Sequence, residues 1–189
     1  MAAWRSTLDG LWIFGRPTHA DERGFFREAF QLRELQEALG CTPAFVQVNH
    51  ARSVRGVLRG LHAENWEKLV YVPNGEVFTA VADIRPDSPT FGRVETFHLG
   101  QTNPLTLYLA RGLAHGYYVL SDVADYVYQV TAYYDGTDTR AVAWDDPDLA
   151  IRWPVAEPLV SARDRRNPTL RELVPSRLPP LVAGGDDAV

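Results

Sequence analysis

Cysteine is almost absent from this sequence: Cys41 stands alone among 189 residues, so no internal disulfide and no cysteine-based zinc site can form. That suits a reducing compartment. No apolar run approaches the roughly 20 residues of a membrane helix, and the stretch from Met1 to Gly10 lacks the basic-then-apolar order of a secretory signal. Nor is there a block of lysine and arginine: 24 acidic residues outnumber 19 basic ones, the formal charge is −5, and a phosphate backbone finds no basic footprint. Together these absences predict a cytoplasmic protein with no membrane segment and no nucleic-acid partner. Helical periodicity is scarce as well. One helix is predicted, Leu32–Leu39, with Leu32, Leu35 and Leu39 on one face and Gly40 placed as a left-handed cap.

What the sequence does contain is punctuation. Fourteen glycines and 13 prolines separate short runs rich in Val, Leu, Tyr, Phe and Thr, the pattern of a many-stranded β protein. Strands are predicted at Phe45–Asn49, Val57–His62, Lys68–Val72, Glu76–Ile84, Arg93–Leu99, Leu105–Leu109, Gly116–Leu120, Asp125–Tyr133 and Arg140–Trp144. So many strands with so little helix must bury their faces on one another, and a double-sheet jelly roll with an interior pocket accommodates the count. The predicted class is therefore all-β, with a few short peripheral helices. One domain over residues 1–174 is expected, followed by a flexible tail at 175–189.

The stretch from Gly56 to Gly75 places Glu64 two residues after His62 and Lys68 four further on. That spacing resembles the first motif of the cupin jelly rolls, a cupin-like double-stranded β-helix, and Gly112-Leu-Ala-His115 resembles their second motif. In metal-binding cupins the position of Lys68 is a carboxylate. An ammonium has donors and no lone pair, and it repels a divalent ion, so the motif is kept while its metal chemistry is lost. His62, Glu64 and His115 still permit a facial triad, which leaves a metal-dependent oxygenase as an alternative.

Without a metal, a histidine and a lysine beside a ketone can do carbanion chemistry. A neutral imidazole takes the proton from the adjacent carbon while the ammonium hydrogen-bonds the oxygen that becomes an enolate. Inverting the carbon also needs an acid on the opposite face. Alternation along the predicted strand puts Tyr126, Tyr128 and Tyr134 on one face and Tyr133 on the other. Each residue also has a plainer reading: tyrosines pack well in strands, His62 can be a satisfied core residue, Asp164 can cap a turn, and Arg23 can be a solvated loop charge. Strict alternation sends Arg59 and His62 to opposite faces unless Gly60 permits a bulge.

An ordered series of segments then identifies a family. From about Asp21 to Leu170 the chain resembles the dTDP-4-dehydrorhamnose 3,5-epimerases and related nucleotide-sugar epimerases. The segments are Asp21-Glu-Arg23-Gly-Phe-Phe-Arg-Glu28, Gln47-Val-Asn49, Gly56-Val-Leu-Arg59-Gly-Leu-His62, Lys68-Leu-Val, Asp83 through Gly92, Gly112-Leu-Ala-His115-Gly, Trp144 through Pro154, and Ser161-Ala-Arg163-Asp164. The resemblance implies a metal-free, cofactor-free isomerase acting on a nucleotide-linked 4-keto-6-deoxy sugar in deoxysugar biosynthesis. By position, His62 is then the general base, Asp164 orients it, Lys68 stabilises the enolate, and Tyr128 is the general acid. Arg23, Glu28, Gln47, Asn49, Arg59, His115, Tyr134 and Arg163 fall where family members contact the nucleotide or sugar.

The chain also departs from the family. The loop before Lys68 is short, Glu64 replaces a frequent Gln, Thr79 stands where many members carry an acidic residue near the lysine, Ala51 replaces a serine, and Thr139 stands where some carry Glu. Glu64 or Glu67 can supply the missing carboxylate, and Trp66 can cover the ligand or simply pack. These departures lie near the sugar and leave open whether C3, C5 or both are inverted. They also keep a non-catalytic sugar-nucleotide binding module as a further alternative. Family membership implies a homodimer in which an N-terminal segment crosses to the partner, and Leu11-Trp-Ile-Phe14 is the apolar stretch suited to that.

Overall fold

Period-two alternation builds the fold, and in several strands it sends the residues on the two sides of the strand to separate cores. The computed structural model describes residues 2–136 and 140–177; Thr139 and the part of the expected tail beyond Arg177 lie outside the described residues. The strands in chain order are β1 (Ala2–Arg5), β2 (Leu11–Gly15), β3 (His19–Asp21), β4 (Gly24–Phe26), β5 (Gln47–Val54), β6 (Val57–His62) and β7 (Lys68–Asn74). They continue with β8 (Glu76–Asp83), β9 (Val94–Gly100), β10 (Leu105–Leu109), β11 (Leu113–Val119), β12 (Val123–Val130) and β13 (Leu159–Val160). Helix α1 (Leu32–Leu39) follows β4, and a 3-10 turn (Asp164–Arg166) and α2 (Leu170–Leu173) follow β13.

Two sheets face each other, one in the order β1-β2-β10-β7-β12-β5 and the other β13-β6-β11-β8-β9, while β3 and β4 form a separate hairpin. The strands pair antiparallel apart from β13, which runs parallel to β6. Between the sheets lie Leu11, Ile13, Val70, Val77, Val81, Leu107 and Leu109. The alternate residues Trp12, Phe14, Leu69 and Tyr108 face outward and are covered by Leu35 and Leu39 of α1. On the outer face of the second sheet the small side chains Ala80, Ala82 and Ala114 admit the C-terminal segment closely, and Leu149 and Leu170 pack there. No helix among the described residues is long and apolar enough to cross a membrane.

The helix at Leu32–Leu39 forms as the pattern predicts, ended by Gly40 at φ 71°. Several strand expectations are corrected. β2 reads as a continuous apolar run because both of its faces are buried, which removes the alternation that marks a half-exposed strand. Its burial also corrects the expectation that Leu11–Phe14 crosses to a partner: Leu11, Ile13 and Phe14 are used inside this chain's own cores. Phe45 precedes β5 rather than starting it, and β12 ends at Val130. The expected strand Arg140–Trp144 is reduced to a bridge between Ala141 and His62, after which the chain turns to cover the second sheet.

Candidate active site

The site begins with an irregularity in β6. Across β11, His62 pairs with His115 and Arg59 with Tyr117, so Gly60 and Leu61 oppose the single residue Gly116. This bulge turns Arg59 and His62 to the same side, resolving the conflict that strict alternation predicts. The Gly60–Leu61 peptide is cis. The crossing depends on two glycines: a Cβ at Gly60 would lie 2.6 Å from Gly116 Cα, and one at Gly116 would lie 2.7 Å from the Arg59 carbonyl oxygen.

Arg59, His62, His115 and Tyr117 of one sheet and Ala51, Lys68, Tyr126 and Tyr128 of the other enclose a cavity of about 140 Å³, with Glu64 at its rim. Behind His62 sits Asp164, delivered by the 3-10 turn, whose Oδ1 lies 2.8 Å from His62 Nε2. Its other oxygen accepts the Gly60 N–H at 3.2 Å. Burial pushes the Asp164 carboxyl upward, but the His62 hydrogen bond and charge, the Gly60 N–H and the Arg163 charge outweigh it and hold the group below its ordinary value. An ionised Asp164 accepts the proton on Nε2, so His62 Nδ1 carries the lone pair.

Lys68 is the only lysine in the sequence, and its side chain is 2% exposed. Its Nζ lies 2.5 Å from Glu64 Oε2, 3.1 Å from His115 Nδ1 and 3.2 Å from the His62 carbonyl oxygen. Burial first, and then the charges of Lys68 and His62, hold His115 well below the usual imidazole range. It is therefore neutral, and Nδ1 accepts the ammonium proton. Glu64 and His115, two of the three residues of the metal alternative, thus converge on the ammonium itself. Among the described residues no cluster of three or more His, Cys, Asp or Glu side chains is arranged to hold a metal ion.

Tyr128 reaches the cavity from the opposite sheet to His62. Burial, followed by the nearby Glu64 carboxylate, pushes its phenol upward, so it remains a proton donor at neutral pH. Tyr126 lies beside it, fully buried and stacked on Tyr117 with ring centroids 3.9 Å apart. Sequence reasoning missed Tyr126 as a site residue: alternation puts it on the same face as Tyr128, but the family resemblance singles out only Tyr128. Tyr134 is not on the strand with Tyr126 and Tyr128: it lies beyond the end of β12, 52% exposed, and packs edge-on against the buried Trp66.

The other expected contact residues divide into two groups. Asn49 is the cross-strand partner of Tyr128, and Gln47 donates to Asn49 Oδ1 at 2.7 Å while accepting the Tyr134 N–H at 3.1 Å, which extends one wall outward. Arg23, Glu28 and Arg163 are not brought to the cavity. Arg23 is at the tip of the β3–β4 hairpin, 84% exposed and paired with Asp21; Glu28 pairs with Arg16; and Arg163 is exposed ahead of the 3-10 turn.

Comparison with known proteins bears on this arrangement directly. A sequence profile of the dTDP-4-dehydrorhamnose 3,5-epimerases matches residues 5–172. The dTDP-4-dehydrorhamnose 3,5-epimerase of Shigella flexneri is 41% identical over 164 residues, covering 85% of this chain and 91% of that protein. A dTDP-4-dehydrorhamnose 3-epimerase of Streptomyces niveus is 35% identical over 180 residues, covering 93% of this chain and 87% of that protein. The structure of a dTDP-6-deoxy-D-glucose-3,5-epimerase from Legionella pneumophila, in complex with dTDP-4-keto-L-rhamnose, superposes with a TM-score of 0.86 at 41% identity, covering 94% and 97% of the two chains. A cupin-like jelly roll whose interior holds a carboxylate-backed histidine and a single ammonium, matched over nearly its whole length by such relatives, belongs to the dTDP-4-dehydrorhamnose 3,5-epimerase family.

Proposed function

We propose that this chain epimerises a nucleotide-linked 4-keto-6-deoxy sugar, dTDP-4-dehydro-6-deoxy-D-glucose, at C3, C5 or both, by enolisation toward the C4 ketone without a metal or cofactor. The observation that carries this reading is the placement of His62 and Tyr128 on opposite sheets across one cavity that Lys68 also lines. His62 Nδ1 takes the proton from the carbon beside the carbonyl, and Asp164 stabilises the imidazolium that results. Lys68 donates to the carbonyl oxygen as it becomes an enolate. Tyr128 then returns a proton to the opposite face, which inverts the carbon.

The cavity of about 140 Å³ is small beside the roughly 300–1,000 Å³ of ordinary ligand pockets. It takes the sugar ring, and the nucleotide lies outward toward Gln47, Asn49 and Arg59. A guanidinium fork suits the diphosphate oxygens, which is the role assigned to Arg59 and Arg163. We place the reaction in the cytoplasm, where the free Cys41 remains reduced. We also propose a homodimer, because the β3–β4 hairpin presents Phe25 and Phe26 at 53% and 69% exposure, with the Arg27 guanidinium 5.1 Å from the centre of the Phe25 ring. Arg23 at the tip of that hairpin and Glu28 just after it act on the substrate once a second copy is docked.

His62→Ala tests the catalytic assignment. In deuterium oxide it should lose exchange at the sugar carbons by at least about 100-fold, the low end for a general base, while dTDP binding is retained. Exchange at the wild-type rate would overturn it.

A further inference from the structure

Tyr126 lines the cavity with a hydroxyl that the reaction described above does not use, and that hydroxyl lies against the hydroxyl of Thr79, which is not part of the lining. Tyr126 on β12 and Thr79 on β8 come from opposite sheets, and both are fully buried. Their hydroxyls approach one another without completing a hydrogen bond of standard geometry, and among the described residues neither has another partner. Even a perfect bond between them would leave a proton over, because two hydroxyls carry two protons and their mutual bond uses one. Burial pushes the Tyr126 phenol far upward, so that proton is not lost by ionisation. Leaving a buried donor unmet is unfavourable, and native structures tolerate it mainly where function gives a reason.

The surroundings limit what can meet it. Tyr126 lines the sugar-sized cavity, its ring stacks between Tyr117 and His115, and its cross-strand neighbour Ala51 offers no polar side chain. His115 in turn is held by Lys68. The unused donor is thus one ring away from the group that receives the carbonyl oxygen.

We infer that Tyr126 is a further substrate-contacting residue, its hydroxyl donating to an oxygen substituent of the bound sugar and so favouring sugars that carry an acceptor at that point. The inference rests on the nucleotide-sugar reading of the cavity. It goes beyond that reading by giving the chain its own means of selecting the sugar, separate from acid–base chemistry and from recognition of the nucleotide.

Tyr126→Phe removes the hydroxyl and keeps the ring. Binding is measured by calorimetry for two ligands, dTDP alone and dTDP-6-deoxyglucose, which lacks the ketone and cannot enolise. The variant should bind dTDP-6-deoxyglucose about tenfold more weakly, the scale of one lost hydrogen bond, and dTDP as well as wild type does. Its melting temperature without ligand should equal or exceed that of wild type, since a buried unmet donor has been removed. Unchanged affinity for the sugar nucleotide, equal losses for both ligands, or a lower melting temperature without ligand would each overturn the inference. Failure of wild type to bind either ligand would overturn the nucleotide-sugar reading and this inference with it.

Discussion

At the residue scale the site depends on how one ammonium is kept in place inside a β-sandwich. A charge as buried as Lys68 is sustained only by compensating partners, and it has a carboxylate, an imidazole nitrogen and a carbonyl oxygen around it. Glu64, at 13% exposure, is the one anion among them. Removing one partner of such a buried pair leaves the other charge uncompensated, at a cost of about 3 kcal/mol. Glu64→Gln should therefore lower the urea-unfolding stability by about that much and reduce the exchange rate at the sugar carbons. Wild-type stability and exchange in the variant would contradict this.

Much of the residue-scale picture was legible before the structure. His62, Lys68, His115 and Asp164 come together as their motifs imply, and Glu64 rather than Glu67 faces the lysine, since Glu67 lies toward Arg111. What the sequence could not supply was depth. Nothing in the spacing of Tyr126 and Thr79 distinguishes a packed tyrosine from one with an unmet hydroxyl, because that depends on β8 and β12 meeting across the interior. Part of the motif series proves architectural: Asp83 is fully buried and accepts from Arg85 and Thr90 at 2.7 and 2.6 Å, closing the turn after β8.

At the scale of elements, the β6 bulge is what converts a strand motif into a site. Gly60 pointed to it, and the close passage of Gly116 shows why both positions exclude a side chain. Other elements hid for physical reasons: β2 because both faces are buried, and the Ala141 bridge because a single pairing leaves no periodic trace. The β3–β4 hairpin is exposed at every residue, which gives its two strands no core-facing alternation to detect. Its two exposed phenylalanines carry the proposal of a homodimer. Sedimentation equilibrium should give twice the 21.2 kDa chain mass, and Phe25→Ser/Phe26→Ser should reduce it to the chain mass. A wild-type monomer across the working concentration range would contradict the dimer and leave Arg23 and Glu28 without a route to the substrate.

At the scale of the whole molecule, abundant turn formers, many short strands and one helix pointed to a sandwich or a barrel, and the resemblance of the Gly56–Gly75 spacing to the cupin motif pointed to the jelly roll. The stereochemical outcome did not follow. The relatives include both a 3,5-epimerase and a 3-epimerase, so overall likeness does not fix how many carbons are inverted. The account's central claim is that His62 and Tyr128, on opposite walls of one cavity, exchange protons at a carbon beside the C4 ketone. Proton NMR of dTDP-4-dehydro-6-deoxyglucose incubated with the wild-type protein in deuterium oxide tests it most directly, by following the C3 and C5 sugar signals separately. The account predicts protein-dependent loss of at least one of the two signals, with loss of both marking a 3,5-epimerase and loss of C3 alone a 3-epimerase. Retention of both signals at the rate of the protein-free control would contradict it.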